Sequence, residues 1–258
     1  FMKAELEENL TDIERKISIE ENKYIEQLHV MKLYEKRLDS YDSEIDDVLK
    51  YKGYLEMRDS IVKEISEIVA EIGKNEDTLK KENVKATFFV VGELVETNPD
   101  IIKRMYEEGH SIGLHTYSHK KSIYNNEEAF LAENLKTKQL IYDLTGYESN
   151  ILRFPFGCNN SYYHLTNSML NKLHSNNINI YDWNVDTTDG MNPKLEPYKI
   201  AEKAKSDKDV AMILMHTGYA NKNSVDALPL VIKFYKEKGY EFQTITHDTP
   251  ELYKIKSK

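Results

Sequence analysis

The residues with chemical potential gather after residue 84, each group directly after a short apolar run. HTYSH carries His115 and His119, four positions apart; RFPFG carries Arg153, Pro155 and Phe156; WNVDTTD carries Trp183, Asp186 and Asp189; and His216 follows the run AMILM, which includes Leu214. Together these are the residue types of a metal-assisted hydrolase. Two histidines at helical spacing would place both rings on one side, where a zinc-type ion could be held. HTYSH is not the metalloprotease helix motif, because its second position is Thr116 where that mechanism needs a glutamate base.

Each group also has an ordinary reading. Surface histidine pairs are common, Arg153 could close a surface strand, and the only tryptophan, Trp183, could be core. Asp186 and Asp189 could cap a following helix, and His216 could be a hydrogen-bonded strand end. The hydrolase reading rests on convergence, since the ordinary ones require independent coincidences at successive strand ends.

The elements that must position these groups are legible from residue 84 onward. Apolar runs at Ala86 to Val91, Ser111 to Leu114, Ile151 to Phe154, Ile178 to Val185, Val210 to Met215 and Tyr240 to Ile245 read as strands. Amphipathic stretches around Pro99 to Glu108, Glu127 to Leu144, Tyr163 to His174, Glu196 to Ser206 and Val225 to Lys238 read as helices. Alternating strands and helices predict an α/β fold with a mainly parallel sheet or barrel. In such folds reactive groups collect at the carboxyl ends of the strands.

The first 72 residues follow another pattern. Leu10, Ile17, Tyr24, Met31, Leu38 and Ile45 form one heptad series, while Leu6, Ile13, Tyr34, Tyr41 and Val48 form a second, interrupted by Glu20 and Gln27. The register slips near Tyr51-Lys52-Gly53 and resumes at Leu55, Val62, Ile65, Val69 and Ile72. The expectation is an all-α coiled-coil stalk able to self-associate. It is either one rod of about 100 Å or a hairpin turning near Asp39 to Ser43, where the Asp/Ser cluster could cap a new helix.

A formal charge of −9, with no free basic block, argues against nucleic acid as a partner. A single cysteine, Cys158, excludes intrachain disulfides and thiolate zinc clusters. No apolar run reaches the 18 residues of a membrane span. The chain opens Phe1-Met2, which leaves room for a trimmed signal or membrane anchor ahead of it.

In order and spacing, KATFFVVG (85–92), GHSIGLHTYSH (109–119), RFPFG (153–157), WNVDTTD (183–189) and LMH (214–216) resemble the polysaccharide deacetylases, the NodB-homology carbohydrate esterases, over about residues 75 to 254. The resemblance implies a distorted, incomplete (β/α) barrel that removes acetyl groups from N-acetylated cell-wall glycan, peptidoglycan N-acetylglucosamine above all. Display outside the cell of a Gram-positive bacterium is implied too. An O-acetyl esterase acting on another polysaccharide is the enzymatic alternative, and a non-catalytic wall-binding protein is the other.

Carried over by resemblance, His115 and His119 become metal ligands in a loop held by Thr116, with Zn2+ expected and Co2+, Ni2+ or Mn2+ as substitutes. The Phe156 N–H becomes an oxyanion donor, and Arg153 belongs to the same catalytic block. His216 becomes the general acid, tuned by Asp189 or else by Asp186. Trp183, Leu214, Tyr117 and Pro155 line the groove. The family's first strand ends in a Thr-Phe-Asp-Asp block, which supplies a catalytic base and a third metal ligand. Only EIGKNEDTLKKENV precedes Lys85 here, and Asp77 lies in a helix rather than at a strand end. Two explanations stand: residues omitted at a join near Lys74-Asn75, or a diverged, inactive member.

Overall fold

A computed structural model describes residues 73–218 and 221–255 of the 258. The heptad segment, and with it the choice between rod and hairpin, lies outside the described residues. Residues 73–81, which include Lys74 and Asn75, are helical and are labelled α1. Both acids of α1 turn to Arg104, with Asp77 at 2.5 Å and Glu76 at 3.1 Å. Burial pushes the Glu76 carboxyl up to about 7.

Strand β1 (Thr87–Val90) is followed by helices α2 (Gly92–Thr97) and α3 (Pro99–Glu107), then by β2 (Ser111–Leu114). Pro99 opens α3, where its missing N–H costs nothing. A 3-10 turn (Lys121–Asn125) leads into α4 (Glu127–Thr145), whose first N–H groups are capped by Asn126 and whose end is closed by left-handed Gly146. Then come β3 (Ile151–Leu152), α5 (Asn167–Ser175), β4 (Asn179–Ile180), β5 (Val185–Asp186), α6 (Pro197–Ala204), β6 (Ile213–Leu214) and α7 (Lys222–Glu237).

All strand pairings are parallel, β1-β2-β3-β4 in one sheet and β5-β6 in another. The α/β class and parallel sheet agree with the sequence pattern. Ile112, Leu114, Ile151, Leu152 and Ile180 are fully buried, as both-faced parallel strands require. Phe130 of α4 stacks on Phe154 at 4.6 Å, and Tyr124 stacks on Tyr163 at 4.7 Å, packing α4 beneath the end of β3. A second small core of Ala201, Ala204, Val231 and Tyr235 joins α6 to α7.

Two expected strands differ. The run Ile178 to Val185 is split, because after Ile180 the chain leaves the first sheet: the Asn184 and Val185 N–H groups both donate to the Met212 carbonyl, at 3.1 Å, starting the second sheet. The run Tyr240 to Ile245 is irregular rather than a strand. It meets β1 through a hydrogen bond from the Ile245 N–H to Thr87 Oγ1, at 2.7 Å. A strand needs a backbone ladder, and none forms here; Leu252 instead makes a parallel bridge with Tyr181.

Candidate active site

HTYSH leaves the carboxyl end of β2 as an irregular turn, not as the helix its spacing suggested. Thr116 and His119 take left-handed φ values of 63° and 54°, and the turn brings the His115 and His119 ring centroids to 5.0 Å. Helix α4 holds this loop through three polar side chains. Asn134 Oδ1 accepts the Thr116 N–H at 3.0 Å, and Thr137 Oγ1 donates to the Thr116 carbonyl at 3.0 Å. Glu133 accepts the Tyr117 and Ser118 N–H groups, at 3.1 and 3.0 Å, together with the Ser118 hydroxyl. Thr116 Oγ1 in turn accepts the His119 N–H at 3.0 Å. On the other side Gly92 packs so closely that a Cβ there would lie 2.5 Å from Thr137 Oγ1 and from the Tyr117 ring.

His115 Nδ1 lies 2.7 Å from the Arg153 carbonyl, which assigns that nitrogen as the N–H donor and leaves the Nε2 lone pair for a ligand. Burial, then neighbouring His119, hold the His115 imidazole well below the ordinary histidine range. Burial, then His216, bring His119 down to about 4. Both rings are therefore neutral near pH 7, as a metal ligand must be.

The RFPFG turn at the end of β3 lies against this pair. Arg153 is buried, not a surface strand end: its Nε donates to the Tyr181 carbonyl at 2.9 Å and its Nη2 to the Asp182 carbonyl at 3.2 Å. Its guanidinium sits 4.3 Å from the Phe89 ring centre. Burial lowers its pKa to about 10, which still leaves it charged at neutral pH. Phe156 takes a left-handed φ of 63° and its ring meets His119 at 5.0 Å. Its N–H has no acceptor among the described residues. Pro155 is buried, with its carbonyl accepting the Tyr124 hydroxyl at 2.5 Å.

His216 follows β6, and its Nδ1 lies 2.8 Å from Asp189 Oδ1, while its N–H donates to Asp189 Oδ2 at 2.7 Å. Asp189 is fully buried and also accepts the Ser224 hydroxyl at 2.7 Å. Burial alone would raise its pKa, but the hydrogen bonds from His216 and Ser224 outweigh it and hold the carboxyl below the usual aspartate value. Asp186 turns elsewhere: it accepts the Trp183 indole N–H at 3.1 Å and the Thr188 N–H at 2.7 Å. Trp183 is half-buried, with the Arg153 guanidinium 5.9 Å from its ring centre. Leu214 is half-buried on β6. Tyr117 goes to the α2 and α4 side, its hydroxyl donating to Glu96 at 2.9 Å and its ring lying under Lys136 at 3.3 Å, apart from the other groove residues.

A family model described as polysaccharide deacetylase matches residues 72–174. A solved polysaccharide deacetylase from Bacillus cereus superposes with a TM-score of 0.64 at 30% identity, covering 70% of this chain and 88% of that one. The chain belongs to the polysaccharide deacetylase family. A peptidoglycan-N-acetylglucosamine deacetylase of Bacillus cereus is 36% identical over 171 residues, which are 66% of this chain and 60% of that protein. The chain thus spans less than two thirds of that curated relative. A Bacillus anthracis protein described as a CE4 family pseudoenzyme shares the fold, with a TM-score of 0.60 at 24% identity, covering 68% of this chain and 59% of that one.

Polysaccharide deacetylases generally depend on a divalent metal ion. A catalytic zinc-type ion takes three protein ligands. Among the described residues no group of three His, Cys, Asp or Glu side chains comes together, so His115 and His119 supply two donors and the set does not close.

The sequence pattern missed Glu133, Asn134, Thr137, Asp182, Gly190 and Ser224. The three from α4 left a trace, since polar residues at i, i+1 and i+4 interrupt the helix face that also carries Phe130 and Ile141. Asp182 holds the RFPFG turn by accepting the Cys158 N–H at 3.1 Å. Gly190 lies against His216, and a Cβ there would stand 2.4 Å from Cε1 of its ring.

Proposed function

We propose that this polysaccharide deacetylase removes N-acetyl groups from N-acetylglucosamine of cell-wall peptidoglycan, outside the cell of a Gram-positive bacterium. The observation that carries the reading is the juxtaposition of the buried Asp189–His216 pair with two neutral imidazoles and the Phe156 turn. Asp189 fixes the His216 Nδ1–H and leaves Nε2 facing outward on an exposed side chain. There Nε2 takes up the proton that water loses on adding to the acetyl carbon, and His216 passes that proton to the amine nitrogen as the acetamide C–N bond breaks. The unaccepted Phe156 N–H is free to donate to the oxyanion. Buried Arg153 braces the turn and keeps a positive charge behind it.

His115 and His119 are the side chains that would face a zinc-type ion, and a third donor must come from outside the described residues. We also infer that the two parallel sheets are arcs of one incomplete barrel. Arg153, after β3, reaches the carbonyls after β4 and stands over Trp183 ahead of β5, which supports a continuous curve.

One observation favours a second reading. The Thr-Phe-Asp-Asp block is missing from the sequence, and with it a base and a third ligand, as in a member that binds glycan without hydrolysing it. Acetate release from an N-acetylglucosamine oligomer separates the two. The first reading requires release that chelation abolishes, and the second requires binding without release.

A further inference from the structure

Beside the histidines lies a group that the deacetylase chemistry does not use. Lys121, two residues after His119, donates through Nζ to the Tyr162 hydroxyl at 2.6 Å and stands 4.1 Å from the Tyr162 ring centre. The same Nζ is 5.8 Å from the Phe156 ring centre. Phe156 and Tyr162 meet edge to face at 6.2 Å, and both are exposed, at 36% and 44%. The Phe156 ring also touches His119, so the platform is continuous with the metal-ligand pair.

In a chain with a net charge of −9, Lys121 forms no ion pair with a carboxylate among the described residues. Aromatic faces attract an ammonium without neutralising it. The arrangement therefore keeps a positive charge available beside two exposed rings. Such a surface, part aromatic and part cationic, suits a ring that carries an anion better than a neutral one.

We propose that Lys121, Tyr162 and Phe156 form a subsite for a carboxylate-bearing sugar next to the N-acetylated sugar under attack. The assignment rests on the deacetylase reading for the place of the reacting sugar.

The test is equilibrium binding of the full chain to two tetrasaccharides by calorimetry, one of N-acetylglucosamine alone and one in which alternate sugars carry a lactyl ether carboxylate. The unsubstituted protein should prefer the charged oligomer by about fivefold, the effect of one part-exposed ion pair. The preference should shrink as salt rises. Lys121→Met should abolish it while leaving affinity for the neutral oligomer within about twofold, a size that the loss of one rim contact sets, and Lys121→Arg should keep it. A preference that survives Lys121→Met overturns the proposal, as does no preference in the unsubstituted protein, including failure to bind either oligomer. Acetate release measured in parallel keeps the readings apart. A Lys121-dependent preference without release refutes hydrolysis and leaves the subsite standing; release without preference does the reverse.

Discussion

Replacing Asp189 by Asn changes almost no volume, so its effect isolates the carboxylate that holds His216. That carboxylate, fully buried, accepts three hydrogen bonds: the His216 N–H at 2.7 Å, the His216 Nδ1–H at 2.8 Å and the Ser224 hydroxyl at 2.7 Å. An amide offers one oxygen and an NH2 group, so at least one donor would face another donor. A hydrogen bond to a charged group contributes about 1.5–3 kcal/mol, and losing one should cost about 2 kcal/mol of stability. At about 2–4 °C per kcal/mol for a chain of this size, Tm should fall by roughly 4–8 °C.

The effect on turnover should be larger, because an imidazole without its partner is free to rotate or change tautomer. A drop in kcat of about 10^2- to 10^4-fold is expected, the upper figure being the cost of the same swap in a serine-hydrolase triad. The pH dependence of stability gives a further check. Asp189 is held below its unfolded value of about 3.9, so its contribution is present above that value and lost as pH falls through the lower folded value. Tm curves of the parent and the Asn variant should therefore converge at acid pH. A variant with parental Tm and kcat would refute the argument that this carboxylate holds the imidazole.

Gly190→Ala should place a Cβ 2.4 Å from His216 Cε1 and push the ring aside, lowering kcat by about 10^2-fold with little change in Tm; unchanged turnover would show that the ring has room to spare. Glu133→Ala strips the acceptor from the Tyr117 and Ser118 N–H groups, so Tm should fall by roughly 4–8 °C for about 2 kcal/mol, with faster amide exchange at those two residues. Exchange no faster than in the parent would mean that the loop keeps its shape without Glu133. Phe130→Ala removes a fully buried ring stacked on Phe154 and should cost about 3–5 kcal/mol, read as a shifted urea midpoint with an unchanged m value.

Much of the fold was legible because local patterns and tertiary burial agree in most elements. Ser111–Leu114 forms a strand with the bounds its apolar run suggested, and α4 ends within a residue of its amphipathic stretch. Where a strand depends on a distant ladder, the pattern is silent. Tyr240 to Ile245 has strand composition and no backbone partner, and Ile178 to Val185 is one apolar run that changes sheets midway. The site was legible as residue types at strand ends, less so as geometry. Nothing in the spacing of HTYSH shows that left-handed residues, not a helix, bring its rings together. Of the six non-glycine residues with positive φ among the described ones, Thr116, His119, Phe156 and Thr188 lie in the site loops. Thr116 is held by Asn134 and Thr137, partners far away in sequence. Ser224 and Gly190 act through single contacts with Asp189 and His216, and single contacts leave no periodicity to find.

Acetate release by the full chain from an N-acetylglucosamine oligomer, before and after chelation and after reloading with Zn2+, bears most directly on the claim that this site hydrolyses. The account predicts release that disappears on chelation, returns with the ion, and is abolished by His115→Ala or His119→Ala without loss of fold. Binding of the oligomer with no acetate released in any metal state would contradict it, and would mean that the chain keeps the groove of the family without its chemistry.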